Sequence, residues 1–344
     1  MDKRPLVLVA IFATGLFAVQ TFFKSGAPAA SAVPAPAPVA WETEERYVLE
    51  NSVQQVVFSN LGGSIAEINL ALRDPKDPSS VVRSLRADSE LKEISPLNDR
   101  FPLLSSRSID LKTGAVVKQA EGALGGYYPL LRRGLLSPSG TKEGLVHPEW
   151  YALSLSTAEG PLTQRFQVRE FRKDRIVFEW SDGGQRITKT FSINQPPLKD
   201  PYVIRARVDT AGDVGPLWIS SGVPEVELVG GDPNPLVQYS TNLGGNWEAQ
   251  KLDLPKDQSL LSSVYPGWVS TSNGFFALIL NPATEVSGGL RAQKVPADKA
   301  LSRLLVLPEH QGWGKSDPGT WVKEPGDKWA GYRALLPLGS LPDR

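Results

Sequence analysis

Cysteine is absent from this chain of 344 residues, and histidine occurs only twice. Without thiols there is no disulfide, no cysteine nucleophile and no thiolate metal site. An exported domain of this composition must be held by burial alone, which a chain of about 300 residues can supply. His147 and His310 stand far apart, beside Pro148 and Gln311, and neither falls in an H-E-x-x-H spacing. Each reads as a turn or surface residue, because a general base or metal ligand needs a partner in reach. No G-x-S-x-G elbow, Walker-type loop or G-x-G-x-x-G fingerprint occurs, so no catalytic residue, metal or cofactor is expected. Excess charge is missing too. Lys plus Arg and Asp plus Glu are both 37, and nucleic acid, which needs a concentrated cationic surface, is excluded as an expected partner.

Long hydrophobic runs are equally scarce, with one exception. Residues 6–23, from Leu6 to Phe23, carry no charge. As a helix this run would cover about 27 Å, close to the roughly 30 Å of hydrocarbon in a bilayer. Lys3 and Arg4 precede it and only Lys24 follows closely, so the positive-inside rule sends the later chain outward. A cleaved secretory signal is the competing reading, since Ala27-Pro28-Ala29 and Ala30-Ser31-Ala32 are small-x-small sites. The length of the run and the bulky Phe22-Phe23 pair favour a retained anchor. Residues 25–40 hold four prolines and neither charge nor aromatic ring, the composition of an extended linker. At about 3.1 Å per residue such a linker reaches up to roughly 50 Å. The expected organisation is an anchor over 1–24, a linker over 25–40 and an extracytoplasmic domain over 41–344.

That domain reads as strand after strand. Residues 47–58 (YVLENSVQQVVF) are β-branched and aromatic, Asn60-Leu61-Gly62-Gly63 supplies a turn, and residues 64–72 place Ala66, Ile68, Leu70 and Leu72 on one face. A clearer hairpin runs from Arg175 through the turn Ser181-Asp182-Gly183-Gly184 to Ile193. Ile176, Phe178 and Trp180 share one face, as do Ile187, Lys189, Phe191 and Ile193, and Lys189 is expected at an edge or reaching to water. Further strands are expected over 151–156, 163–171, 202–209, 236–240, 274–280 and 301–307. Residues 275–280 (FFALIL) are apolar on both faces and predict a central strand. Short helices are expected over 87–94 and 328–336. Gly230-Gly231, Gly244-Gly245 and Gly288-Gly289 read as turns. With 31 glycines and 29 prolines breaking these runs, the class is all-β, with two packed antiparallel sheets.

Two sets of side chains remain as possible sites. Glu225 and Glu227 alternate on one strand face, and Asp253 and Asp257 flank a turn, but solvated strand faces account for both without a glycosidase-type acid pair. The tryptophans are the other set. Trp313, Trp321 and Trp329 recur every eight residues in a Gly/Pro-rich stretch, and Trp247 and Trp268 lie beside Gly, Asn and Pro turns. Such rings either stack on a sugar or peptide or plug the edges of a sheet. Trp247, Trp268, Trp313 and Trp321 are the candidate ligand or partner contacts.

The order of these blocks resembles the amino-terminal part of the YidC membrane protein insertases of Gram-negative bacteria. The likeness is carried by an apolar run with a Pro/Ala linker, an "N-x-G-G-x-I" turn at residues 60–65, Thr188-Lys189-Thr190-Phe191, Tyr202-Val203-Ile204, and residues 268–282 (WVSTSNGFFALILNP). It implies a galactose mutarotase-like β-supersandwich in the periplasm, anchored in the inner membrane. It also implies docking work beside the Sec translocon and nascent membrane proteins. The family's insertase chemistry belongs to a later bundle of five membrane helices with a cationic groove residue. Nothing here matches that bundle, so no active residue is carried over and the sequence reads as a fragment, a split product or a truncated form. The alternative is an anchored sugar-binding or aldose-epimerase-like protein on the same fold.

Overall fold

The computed structural model describes residues 44–71, 105–109, 116–121, 127–132, 134–136, 143–225, 234–256, 258–261, 263–272, 276–284, 288–295, 301–302 and 331–338. The apolar run, the linker, the helix expected over 87–94, His310, Glu227, Asp257, Trp313, Trp321 and Trp329 lie outside them. Among the described residues no helix is long and apolar enough to cross a membrane, and the one helical element is the 3-10 turn Pro148–Trp150. All remaining elements are strands, and all pair antiparallel, so the all-β expectation holds.

Hydrogen bonding divides the strands among several sheets. The opening sheet runs Arg46–Glu50, Gln54–Ser59, Ser64–Ala71, Tyr127–Pro129. Residues 47–58, expected as one strand, are therefore two, paired from Arg46↔Ser59 to Glu50↔Gln55. The side-chain oxygen of Asn51 accepts from the N–H groups of both Val53 and Gln54, which folds the chain back with no glycine or proline.

The meander sheet follows the chain: Gln167–Phe171, Arg175–Asp182, Gln185–Ile193, Ile204–Ala211. Its central hairpin closes with Asp182 opposite Gln185, leaving Gly183 and Gly184 as a two-residue turn with φ of +53° and +84°. Ile176, Phe178, Ile187, Phe191 and Ile193 are buried as their alternation predicts. Their inner face meets the opening sheet. Rings of Tyr47, Phe58, Phe178 and Phe191 pack there with centroids 5.1–6.4 Å apart, mostly tilted or edge-on.

A six-stranded sheet joins distant segments in the order Pro161–Leu162, Leu155–Ser156, Leu217–Ser220, Tyr332–Leu338, Leu290–Lys294, Gln258–Leu261. The helix expected over 328–336 is overturned here. Tyr332–Leu338 is a strand hydrogen-bonded on both sides, and Tyr332 through Pro337 are buried, so tertiary pairing overrides the local Ala/Leu propensity.

The fourth sheet, the tryptophan sheet, is ordered Asn246–Leu252, Leu236–Leu243, Val269–Ser272, Ala277–Leu280. Its last member corrects the central strand expected over 275–280. Among the described residues Ala277–Leu280 lies at the end of the sheet order and pairs with Val269–Ser272 alone, leaving Ile279 exposed. Alternation accounts for this, because Leu278 is buried and Phe276 and Leu280 on the same face pack partly against the core, whereas Ala277 and Ile279 face out. One apolar core runs through these four of the six described sheets, from Leu49 and Phe58 to Ile219, Val237, Leu290 and Leu336.

Candidate functional site

Several polar groups inside this core converge on one segment, residues 147–154. His147 opens it as the cap of the 3-10 turn, its Nδ1 accepting from the Glu149 N–H at 3.3 Å. The Glu149 carbonyl accepts from the Ser154 hydroxyl at 3.0 Å and from the Arg333 guanidinium. Trp150 lies beneath that guanidinium, whose carbon is 4.2 Å from the ring centroid. Arg333 also donates twice to Gln293 Oε1, at 3.0 and 2.7 Å. Burial lowers the Arg333 guanidinium to about 10, opposed by Glu149.

Tyr151 reaches the opening sheet. Its hydroxyl donates to Glu44 Oε1 at 3.1 Å and accepts from Arg46 at 3.4 Å. Arg46 bridges Glu44 and Glu67, each at 3.1 Å, and Asn69 donates to the second Glu67 oxygen at 3.2 Å. Burial pulls the Arg46 guanidinium down, but Tyr151, Glu44 and Glu67 outweigh it and hold it above its usual value. Burial likewise raises the Tyr151 hydroxyl, with Glu44 adding to the effect. This group is a buried charged clamp in which both carboxylates are engaged.

Ala152 and Ile65 exchange both backbone hydrogen bonds, at 2.8 and 3.0 Å. Leu153 donates its N–H to Ser220 at 2.8 Å, and Ser154 accepts from the Ser220 N–H at 3.0 Å. The Leu153 carbonyl meets Lys189. This corrects the expectation for that lysine: it is 0 % exposed, with Nζ 2.5 Å from Leu153 O and 3.0 Å from Gly62 O. The rings of Phe166 and Phe191 stand 5.9 and 5.6 Å from the ammonium. Neither edge nor water is reached, because its strand is paired on both sides and the ammonium ends on two carbonyls, those of Leu153 (φ +57°) and Gly62 (φ +66°). Desolvation lowers the Lys189 amine to about 7. A lone lysine on an apolar strand face was the available signal.

The glycine turn of the opening hairpin is buried as well. A Cβ on Gly62 would lie 2.8 Å from the Leu162 carbonyl oxygen, and one on Gly63 would press on Phe178 and Phe166 at 3.0–3.2 Å. Glycine is required there by packing as well as by φ.

Of the remaining candidates, Glu225 is buried with Arg132, Oε1 to Nε at 3.9 Å, and burial lowers that guanidinium. Asp253 is exposed. The structure brings Trp247 together with the turn that carries Trp268. A Cβ on Gly267 would lie 2.6 Å from the Trp247 ring, so the indole rests on that glycine while remaining 61 % exposed. Trp268 is half-buried, its backbone N–H donating to the Ser240 hydroxyl at 3.0 Å. Among the described residues no group of three or more His, Asp or Glu side chains is placed to hold a metal ion.

No family model matches the chain. It is 32 % identical over 296 residues to the membrane protein insertase YidC of Chlamydia caviae, covering 85 % of this chain and 34 % of that protein. The insertases YidC of Chlamydia muridarum and Chlamydia trachomatis are 32 % and 31 % identical over 300 residues. The chain thus spans about a third of the length of these relatives. Among solved structures it is similar to a galactose mutarotase-like protein from Lactobacillus casei, at 11 % identity and a TM-score of 0.36 over 87 % of this chain and 89 % of that one. A putative aldose 1-epimerase from Escherichia coli K12 gives 10 % identity and a TM-score of 0.33 over 86 % and 99 %. At these scores neither structure bears on the chemistry of this chain.

Proposed function

This chain belongs by sequence to the YidC membrane protein insertase family over the stretch it shares with it, and on that premise we propose that it is the family's anchored periplasmic docking domain. Its place is the inner membrane, held by residues 6–23, with the β domain arranged as a mutarotase-like supersandwich outside. It assists insertion and folding of inner-membrane proteins beside the Sec translocon, and it positions partners without catalysing a reaction.

The observation that carries this reading is the 31–32 % identity to named insertases across 85 % of the chain. The interior supports the non-catalytic part. Arg46, Arg132, Arg333 and Lys189, the deeply buried cations among the described residues, are all engaged with carboxylates, carbonyls or amides of the fold itself. A sugar-converting reading is not favoured, since such chemistry needs an acid and a base facing one cleft. Here His147 is a helix cap, Glu225 faces Arg132, and Glu44 and Glu67 face Arg46.

The test is to tag the native locus at its C-terminus and size the product in isolated inner membranes, then crosslink it in vivo. A product well above 37.4 kDa that crosslinks to translocon subunits is the expected result. A soluble product, or one with no translocon crosslink and a measurable aldose-epimerase rate, overturns the proposal.

A further inference from the structure

We infer that the tip of the hairpin formed by Leu236–Leu243 and Asn246–Leu252 is a bilayer contact, with Leu243 and Trp247 seated at the lipid–water boundary. The hairpin closes with Leu243 opposite Asn246 around Gly244 and Gly245, whose φ angles are +62° and +95°. Since Asn242 pairs with Trp247, strand alternation puts Leu243 on one face of the ribbon and Trp247 on the other. Nearer the core, Val237 and Leu252 are buried on the Leu243 face. Towards the tip that face is abandoned, and Leu243 is 51 % exposed while Trp247 is 61 % exposed. An apolar side chain therefore stands out on each side of a narrow ribbon. Tyr265, two residues before the glycine beneath Trp247, is also exposed.

The chemistry of the tip selects the partner. Residues 240–247 (STNLGGNW) carry no charge. Two polar groups beside the indole are engaged in holding the turns: Asn242 Oδ1 accepts from the Gly245 N–H at 2.8 Å, and Ser240 Oγ accepts from the Trp268 backbone N–H at 3.0 Å. A sugar or peptide needs oriented polar groups beside a stacking ring, and these two are turned to the backbone of the fold instead. Tryptophan, tyrosine and leucine without charge match the interfacial zone of a membrane, where an apolar body and a polar tip are satisfied together. The sequence also supplies a membrane within range, since the uncharged run at residues 6–23 is followed by a linker of roughly 50 Å reach. This inference rests on the anchored reading proposed above.

The cysteine-free sequence allows a clean probe. Asn246→Cys and, as a control in a different exposed turn, Glu159→Cys are each labelled with an environment-sensitive nitrobenzoxadiazole dye in the full chain. The chains are reconstituted into vesicles of phosphatidylethanolamine and phosphatidylglycerol and floated on a density gradient. Blue-shifted emission at Asn246→Cys, quenched by a spin label at headgroup depth, with no quenching at Glu159→Cys, is expected. Adding Leu243→Ser and Trp247→Ser, both at exposed positions, abolishes the quenching while far-ultraviolet circular dichroism stays unchanged. A chain that floats but shows no quenching at Asn246→Cys overturns the inference and leaves the anchor standing. A blue shift without lipid quenching means that protein covers the tip, and overturns it also. A chain that fails to float overturns both readings.

Discussion

The amine of Lys189 lies 2.5 Å from the carbonyl oxygen of Leu153, so a strand of the meander sheet is tied to a left-handed residue on the segment that links the other sheets. No carboxylate takes part in the tie. The charge is stabilised by carbonyl dipoles and ring faces, and desolvation favours the neutral amine.

The first prediction is a pH dependence. The Lys189 amine is lowered from 10.5 to about 7, so between those values the unfolded chain binds more protons than the folded one. Stability then rises with pH through that window, by up to about 1.4 kcal/mol per pH unit from this group, and its contribution is lost as pH falls through 7. Urea melts from pH 6.5 to 9.5 on wild type and Lys189→Met measure it. The variant should lose this slope, and at pH 9.5 it should be less stable by about 1–3 kcal/mol, because two buried carbonyls lose a donor. Parallel slopes in the two proteins would refute the assignment.

A second prediction separates two kinds of glycine. Gly183 has φ of +53° with open space where a Cβ would go, whereas Gly62, at +66°, would place that atom 2.8 Å from a carbonyl oxygen. Gly183→Ala should cost about 1–2 kcal/mol, the left-handed penalty alone. Gly62→Ala should cost more than that, since the neighbouring backbone must also move. Equal costs by chemical denaturation would mean that the turn is not held beneath Leu162.

Third, the Arg46 clamp should behave as a buried ion network. Arg46→Met leaves Glu44 and Glu67 facing each other with side chains almost fully covered, and should destabilise by about 3–5 kcal/mol. Adding Glu67→Gln should recover part of that loss in a double-mutant cycle. Strict additivity would show that the pair is not coupled.

A fourth prediction contrasts core with edge. Phe178→Ala removes a ring packed against Tyr47, Phe58 and Phe191 and should cost about 3–5 kcal/mol. Ile279→Ser, on the terminal strand, should stay within about 0.5 kcal/mol. A large loss at Ile279 would restore the central-strand reading of residues 275–280.

Much of the fold was legible because its signals are local. The hairpin over residues 175–193 announces itself through Gly183-Gly184 and two alternating arms, and the structure keeps both its turn and its faces. Legibility fails where the deciding partner is remote. Lys189 looks solvent-bound beside its sequence neighbours, but its acceptors lie 36 and 127 residues away. Residues 332–336 look helical, but strands at 217–220 and 290–294 flank them. Residues 51–53 hide a reversal because an asparagine side chain replaces the usual glycine. Of the candidate tryptophans, Trp247 and the Trp268 turn meet through Gly267, a contact across strands that spacing alone does not reveal.

The Arg46 clamp has a mechanical consequence. It sits at the point where the described domain begins, on the first residue of the first strand, and Glu44 just ahead of it is held by Tyr151. A pull at Glu44 would meet its ties to Tyr151 and Arg46, and then the pairing of Glu45 with Asn60, before the Arg46↔Ser59 rung of the ladder felt it. Through Tyr151 the load passes to residues 147–154 and spreads into three sheets at once. Tension applied at Glu44 would thereby be shared with other sheets, and the first described strand would not carry it alone.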